Sequence, residues 1–201
     1  MSSRELILAY VKERARLRLF VPLALLLALA GRWMVPAPSS IGMLPLAAGQ
    51  AFVLVLAFRI WDDLEDRDAD RVGHPTRVTV TTRNVAPLYA VGIALMIGVV
   101  LSLAAEPSAL RRLVALSIAT ALLSVWYAIR SRRRRHHALG EHILAIKYPL
   151  FAYAVAPEPP SDLGTVRAAG ILVALYVLIC VYQYADDVEL RQLFTSRRSA
   201  P

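Results

Sequence analysis

One short segment of the sequence concentrates carboxylates. Six of the fifteen acidic residues fall within residues 62–70, and Asp62, Asp66 and Asp70 recur at every fourth position. On a continuous helix this spacing places the three carboxylates along one face, with a drift of about 40° per step. Asp63 lies one position further round and adds a second row. Oxygen ligands in this number suit Mg²⁺, which is commonly bound through a few carboxylates together with substrate phosphates. The segment therefore predicts a magnesium site for a phosphate or diphosphate ligand.

A solvated helix extension is the alternative interpretation of the same segment. Arg59, Asp63, Arg67 and Arg71 are also spaced by four, so ion pairs along a helix face could explain part of the pattern. However, carboxylates at the C-terminal end of a helix face the negative end of its dipole. Stacked like charges on one face also repel each other. A bound divalent cation removes both penalties, so the pattern favours a metal site.

Long apolar runs must position these carboxylates. The chain is 57% hydrophobic and 19% charged, against about 45–50% and about 25% in soluble domains. Residues 33–58 and 84–105 contain no charge, and a membrane-spanning helix needs about 20 mostly apolar residues. We predict one all-α integral membrane domain over residues 1–201, a polytopic bundle of about six transmembrane helices. The predicted spans are residues 17–35, 43–61, 86–105, 112–130, 142–157 and 168–186.

The basic residues predict the orientation of these spans. Eighteen Lys and Arg residues flank the spans on the side that holds both termini, and four lie on the other side, with Lys147 inside the fifth span. The positive-inside rule then places the N-terminus and the C-terminus in the cytoplasm. The first span follows basic residues, as a signal peptide does, but no convincing cleavage site follows it, so we expect a retained helix. The acidic segment then lies at the cytoplasmic end of the second span.

The net charge of +8 and the histidines have simpler explanations than separate binding sites. The basic cluster 132–135 directly follows a predicted span, which is typical of a topology anchor, so we expect no nucleic-acid partner. His136, His137, Glu141 and His142 could suggest a metal site, but their spacing does not match a helical metal-ligand pair well. Cys180 is the single cysteine, which excludes an intramolecular disulfide and a cysteine-based zinc site.

The acidic segment resembles the first aspartate-rich motif of the UbiA-type membrane prenyltransferases. That motif has the form Asn/Asp-Asp-x-x-Asp-x-x-x-Asp at the cytoplasmic end of the second transmembrane helix, and residues 71–77 are similar to its continuation. Asp186, Asp187 and Glu189 stand where the second motif is expected, although leucines follow them. Tyr127 approximates the Tyr-x-x-x-Lys of the fourth helix. The family has about nine helices, and the chain corresponds to roughly the first six.

The resemblance implies a magnesium-dependent transferase in the plasma (inner) membrane, with its active site facing the cytoplasm. It implies transfer of a prenyl group from a prenyl diphosphate to an aromatic or lipid acceptor. The implied catalytic residues are Asp62, Asp66 and Asp70. The implied metal ligands are Asp62, Asp63, Asp66, Asp70, Asp186 and Glu189. The implied substrate-binding residues are Arg77, Tyr127, Arg130 and Lys147, of which Lys147 is also singled out as an ionisable residue within a span.

Two alternatives stay open at this point. Residues 69–77 are also similar to the polyprenyl-phosphate phosphoribosyltransferase branch, in which the metal would hold phosphoribosyl diphosphate. A shortened, non-catalytic relative that binds an isoprenoid lipid or assists a partner is the other alternative. Membrane lipid is an expected partner in each case, and a homo-oligomer or a partner chain could complete the cavity.

Overall fold

The computed structural model describes residues 1–15, 17–35, 41–130, 137–157 and 166–186. This part of the chain is helical and contains no strand, so the predicted all-α class is confirmed. A short 3₁₀ turn, Ile41–Met43, precedes the third helix. The α-helices are α1 (Ser3–Arg14), α2 (Leu17–Trp33), α3 (Leu44–Glu65), α4 (Arg67–Gly73), α5 (Val78–Thr81), α6 (Ala86–Ala104), α7 (Ala109–Arg130), α8 (His137–Ala154) and α9 (Val166–Asp186).

The six predicted spans coincide with the six long helices α2, α3, α6, α7, α8 and α9. Four helices in the described part of the chain, α3, α6, α7 and α9, are long and apolar enough to cross a membrane. Helix α2 has 17 residues, which is short of the length that a span usually needs. Helix α8 contains Lys147 and Pro149 and nevertheless continues through both of them. Neighbouring helices can satisfy the backbone groups that such a proline frees.

Helix α3 is the centre of the bundle. It packs against α2 and α6 and also touches α8, while α8 lies between α7 and α9. Leu27, Leu54, Phe58 and Phe151 are fully buried in the shared core. Gly31 of α2 allows a close approach to α8, because a Cβ atom there would lie 2.6 Å from the Ala152 carbonyl oxygen. Small residues at such crossings are typical of packed membrane helices.

The same end of the bundle gathers α1, the end of α3, α4, α5 and the start of α6. We call this end, where α3 ends at Glu65 and α6 begins at Ala86, the acidic end. Leu6 and Tyr10 of α1 form a second core cluster there with Ile60 and Leu88. Most residues of the proline-rich stretches 35–39 and 157–161 lie outside the described part of the chain. The acidic end is therefore the part of the fold that positions the predicted site.

Candidate functional site at the acidic end

The helical register continues from α3 into α4. The Asp66 backbone N–H donates to the Asp62 carbonyl oxygen at 2.9 Å, and the Asp70 N–H donates to the Asp66 carbonyl at 2.8 Å. The backbone of Asp66 at the junction remains right-handed helical. The drift of about 40° per step accumulates to about 80° between the first and third carboxylates. Asp62 and Asp70 consequently meet different neighbours, although their spacing is the predicted one.

Asp62 joins three helices. The Tyr127 hydroxyl of α7 donates a hydrogen bond to Oδ1 of Asp62. The Lys147 ammonium of α8 lies 2.5 Å from Oδ2 of the same carboxylate. Lys147 is only 4% exposed, so its charge depends on this partner, because an unpaired ammonium in an apolar interior is strongly disfavoured. Two residues predicted to bind substrate are thus brought together at the first carboxylate.

Aromatic rings surround this ion pair. The Trp61 ring lies 5.6 Å from the Tyr127 ring and 5.6 Å from the Phe58 ring, measured between centroids. Phe58 lies 4.7 Å from Phe151, and the Lys147 ammonium lies 5.5 Å from the centroid of Tyr148. Aromatic faces attract cations through their quadrupoles, and the attraction grows as water is excluded. The first carboxylate is therefore set in a cluster of aromatic rings that can accommodate positive charge.

Asp63 faces the N-terminal helix and is fully engaged there. The Arg14 guanidinium donates to both of its oxygens, at 2.5 Å and 3.0 Å. The Tyr10 hydroxyl donates at 2.8 Å, and Arg59 of the same helix lies 3.1 Å away. Asp63 is predicted above as a metal ligand, but the structure gives it three donors and buries it. Its carboxylate anchors α1 to α3, and its role as a metal ligand stays a prediction.

The ionisation of Tyr10 and Arg14 follows from this contact. Burial raises the pKa of the Tyr10 hydroxyl above its usual value, and the neighbouring Asp63 carboxylate raises it further. Burial acts to lower the pKa of Arg14, but the hydrogen bond and charge of Asp63 outweigh that effect and raise it. Both side chains therefore keep their protons, and Asp63 keeps its donors, across the ordinary pH range.

Asp70 pairs with a predicted substrate-binding residue. Arg77 donates to Oδ1 of Asp70, and Asp70 is buried. Its second oxygen, Oδ2, is also buried and has no hydrogen-bond partner among the residues that the structure describes. Arg67 fixes the connection between α4 and α6 by donating to the carbonyl oxygens of Thr79 and Thr82 at 2.8 Å and 2.6 Å. The third carboxylate thus has one oxygen paired with Arg77 and one buried oxygen whose hydrogen-bonding capacity is not used by the described residues.

The predicted magnesium ligands fit the ion only in part. The described residues contain no group of three or more His, Cys, Asp or Glu side chains that could hold a metal as they stand. Asp62 and Asp70 each contact a basic side chain. The unpaired oxygen of Asp70 is the kind of hard donor that Mg²⁺ prefers, but it is buried. Asp66 lies between them in the register. Asp62, Asp66 and Asp70 are the residues that would hold the ion.

Other predicted site residues lie beyond what the structure describes. Glu189 and Asp187 are outside the described residues, as are His136 and the cluster 132–135. The helix backbone includes Arg130 and Asp186, but their side chains are outside the described part of the structure. The roles assigned to Arg130, Asp186 and Glu189 therefore stay predictions.

Several residues that support the site were not predicted from the sequence. Tyr10 and Arg14 are four positions apart, which places them on one face of α1, and this spacing could have revealed them. Trp61, Phe58 and Phe151 carried no signal beyond their apolar character. An apolar cavity of about 570 Å³ also lies between α7, α8 and α9, but Asp62 is not among the residues that line it.

The acidic end thus combines carboxylates, cations and aromatic rings at the end of an apolar bundle. Each of Asp62, Asp63 and Asp70 contacts at least one basic side chain. Such mixed charge suits a ligand that carries both a metal cation and phosphate oxygens. No protein-family model, curated protein or solved structure matches the chain.

Proposed function

We propose that the protein is a magnesium-dependent membrane prenyltransferase. In this proposal six helices span the membrane, both termini are cytoplasmic, and the acidic end faces the cytoplasm. The substrate is a prenyl diphosphate, and the acceptor is an aromatic compound or a lipid. The observation that supports the proposal best is the buried contact of Asp62 with Lys147 and Tyr127 inside an aromatic cluster. A buried ionisable group within an apolar bundle points to function by default.

The charges of the site match those of a metal-bound diphosphate. In the structure Lys147 contacts Asp62, and Arg77 contacts Asp70. Asp62 and Asp70 would hold the metal of such a ligand, and the Lys147 ammonium and the Arg77 guanidinium would bind its phosphate oxygens. Since each carboxylate and each cation obtains a new partner, no charge is left buried and unpaired. The bound Mg²⁺ would neutralise the negative charge that develops on the departing diphosphate.

The aromatic and apolar residues serve the carbon chemistry. The bond between the allylic carbon and the diphosphate oxygen breaks, and the diphosphate leaves with the electron pair. The acceptor then forms a bond to the allylic carbon and releases a proton. The Tyr148 ring lies beside the Lys147 ammonium, and Tyr127 and Trp61 are in contact with each other beside Asp62; these rings would stabilise the allylic cation. The buried rings of Phe58 and Phe151 keep water from the cation.

A non-catalytic isoprenoid-binding protein is the second candidate. The ion pairs of Asp62, Asp63 and Asp70 favour it, because carboxylates that are already neutralised can hold helices together without a metal. Under this candidate Lys147 and Arg77 bind the phosphate of an isoprenoid lipid, and the ester bond stays intact.

Incubation of the purified protein with a prenyl diphosphate, a phenolic acceptor and Mg²⁺ separates the candidates. The proposed enzyme releases diphosphate and prenylates the acceptor, and it stops when the Mg²⁺ is chelated. Binding of the prenyl diphosphate without release of diphosphate would select the non-catalytic protein. Transfer of ribose 5-phosphate from phosphoribosyl diphosphate to a polyprenyl phosphate, with no prenyl transfer, would contradict the proposal and select the phosphoribosyltransferase.

A further inference from the structure

Helix α1 lies beside the ends of two membrane-spanning helices. Its residues Leu6 and Tyr10 are buried in a cluster with side chains of α3 and α6. Arg14 binds Asp63, two residues before α3 ends. Both α3 and α6 are long and apolar enough to cross a membrane, so their shared end lies where the chain leaves the hydrocarbon. The helix is therefore held at the level of the lipid headgroups.

The other face of α1 is exposed and combines apolar with basic side chains. Leu8 is 59% exposed and Val11 is 43% exposed. Arg4 and Lys12 are exposed as well, four positions before and after Leu8. On a helix these residues form one row, with Val11 beside it, and they lie opposite the buried face. We call Arg4, Leu8, Val11 and Lys12 the outer face of α1.

We propose that the outer face of α1 binds the anionic headgroups of the adjacent membrane leaflet. Its basic side chains complement lipid phosphates, and its two apolar side chains can enter the boundary between headgroups and acyl chains. The proposed occupant is lipid because the contacts with α3 and α6 hold the helix at the membrane surface. This inference does not depend on the transferase activity.

Side-chain hydrogen bonds stabilise both ends of α1. At the start of α1, the Ser2 hydroxyl accepts from the Glu5 backbone N–H, and the Glu5 carboxylate accepts from the Ser2 N–H, which forms a capping box. At its end, Arg14 is held by two hydrogen bonds to Asp63. The capping box stabilises the first turn of α1, and Arg14, together with the buried Leu6 and Tyr10, holds the helix against α3 and α6.

A spin label on the outer face tests the proposal. The label is attached in the variant Leu8→Cys with Cys180→Ser, since Cys180 is the single native cysteine. The protein is reconstituted into vesicles of phosphatidylcholine alone, or of phosphatidylcholine and phosphatidylglycerol in equal parts. The accessibility of the label is measured to oxygen and to a water-soluble nickel complex. The ratio of the first accessibility to the second increases with the depth of the label in the membrane. We expect the ratio to be higher in the anionic vesicles.

Charge variants provide the control. Arg4→Gln with Lys12→Gln should abolish the difference between the two vesicle compositions, whereas Arg111→Gln, at the start of α7, should preserve it. A label that remains fully water-accessible in both vesicles would overturn the proposal. So would a composition effect that the double variant leaves unchanged. Spin–spin broadening that disappears on dilution with unlabelled chain would show that the outer face contacts a second copy of the protein. That result would also overturn the proposal.

Discussion

Removal of the Lys147 ammonium should strongly destabilise the fold. The variant Lys147→Met retains the apolar stem but leaves the carboxylate of Asp62, whose side chain is 13% exposed, without its ammonium partner. Loss of one partner of a buried ion pair costs about 3–5 kcal/mol, because an uncompensated charge remains. Asp62→Asn should also be destabilising, because it leaves the buried Lys147 ammonium without its carboxylate partner. The double variant should lose about 1–3 kcal/mol less than the sum of the two single losses, since neither charge then remains.

The free energy of unfolding can be measured by SDS titration of the detergent-solubilised protein, with helical circular dichroism as the signal. The pair Arg71 and Asp68 provides the matched control, because its side chains are 56% and 87% exposed. The corresponding cycle, Arg71→Met with Asp68→Asn, should give a coupling of no more than about 1 kcal/mol. If the losses at Lys147 and Asp62 are additive, or no larger than those of the control pair, the reasoning on the buried pair is refuted.

Three further substitutions have definite expected outcomes. Gly31→Ala should lower the free energy of unfolding by about 1–3 kcal/mol, since the added methyl group would meet the Ala152 carbonyl of α8. The control Gly49→Ala should not lower it, because a Cβ at Gly49 meets nothing within 4 Å. Burial and Asp63 raise the pKa of Tyr10 in the folded state, so the protein should lose stability as the pH rises above about 10, the unfolded value. Tyr10→Phe should reduce that alkaline loss, and an unchanged pH profile would contradict the assignment. Arg112→Met should destabilise by about 3–5 kcal/mol, since Glu106 loses its basic partner and the carbonyl groups of Ala154 and Pro157 lose their donor. A loss of stability no larger than that of Arg111→Met would contradict this.

The positions of the long helices followed from hydropathy because their apolar runs have the length of a membrane span. The runs around 43–61 and 86–105 became α3 and α6 with small shifts of their ends. The four-residue spacing of the acidic segment also predicted its helical register across the junction at Asp66. Local patterns of this kind depend only on neighbouring residues, so the sequence alone was sufficient.

The partners of the carboxylates could not be predicted in the same way. Asp63 contacts Arg14, which is 49 residues distant in the chain, and Arg14 appeared in the sequence only as one of many basic residues before the first span. Asp62 contacts Tyr127 of α7 and Lys147 of α8, which are 65 and 85 residues distant in the chain. The helix that each carboxylate faces depends on the angles at which the helices cross. It also depends on the rotation of about 80° that accumulates along the helix between Asp62 and Asp70. The sequence pattern does not contain that information.

Neighbouring aspartates therefore have different proposed roles. Asp66 lies in the register between Asp62 and Asp70 and is a proposed ligand of the metal. Asp68 is two positions away, 87% exposed, and pairs with Arg71 on the surface. Loss of either carboxylate removes the same charge from the same segment, so comparison of the two separates the site from the general charge of the acidic end.

The most direct test is the rate of magnesium-dependent diphosphate release from a prenyl diphosphate by Asp66→Asn and by Asp68→Asn. Both variants should fold, as judged by helical circular dichroism and thermal unfolding. We expect Asp66→Asn to lower the rate by about a hundredfold or more, which is typical for loss of a group that stabilises a charged transition state. Asp68→Asn should retain the rate of the unmodified protein. Equal rates in the two variants, or no magnesium-dependent release by the unmodified protein, would contradict this expectation.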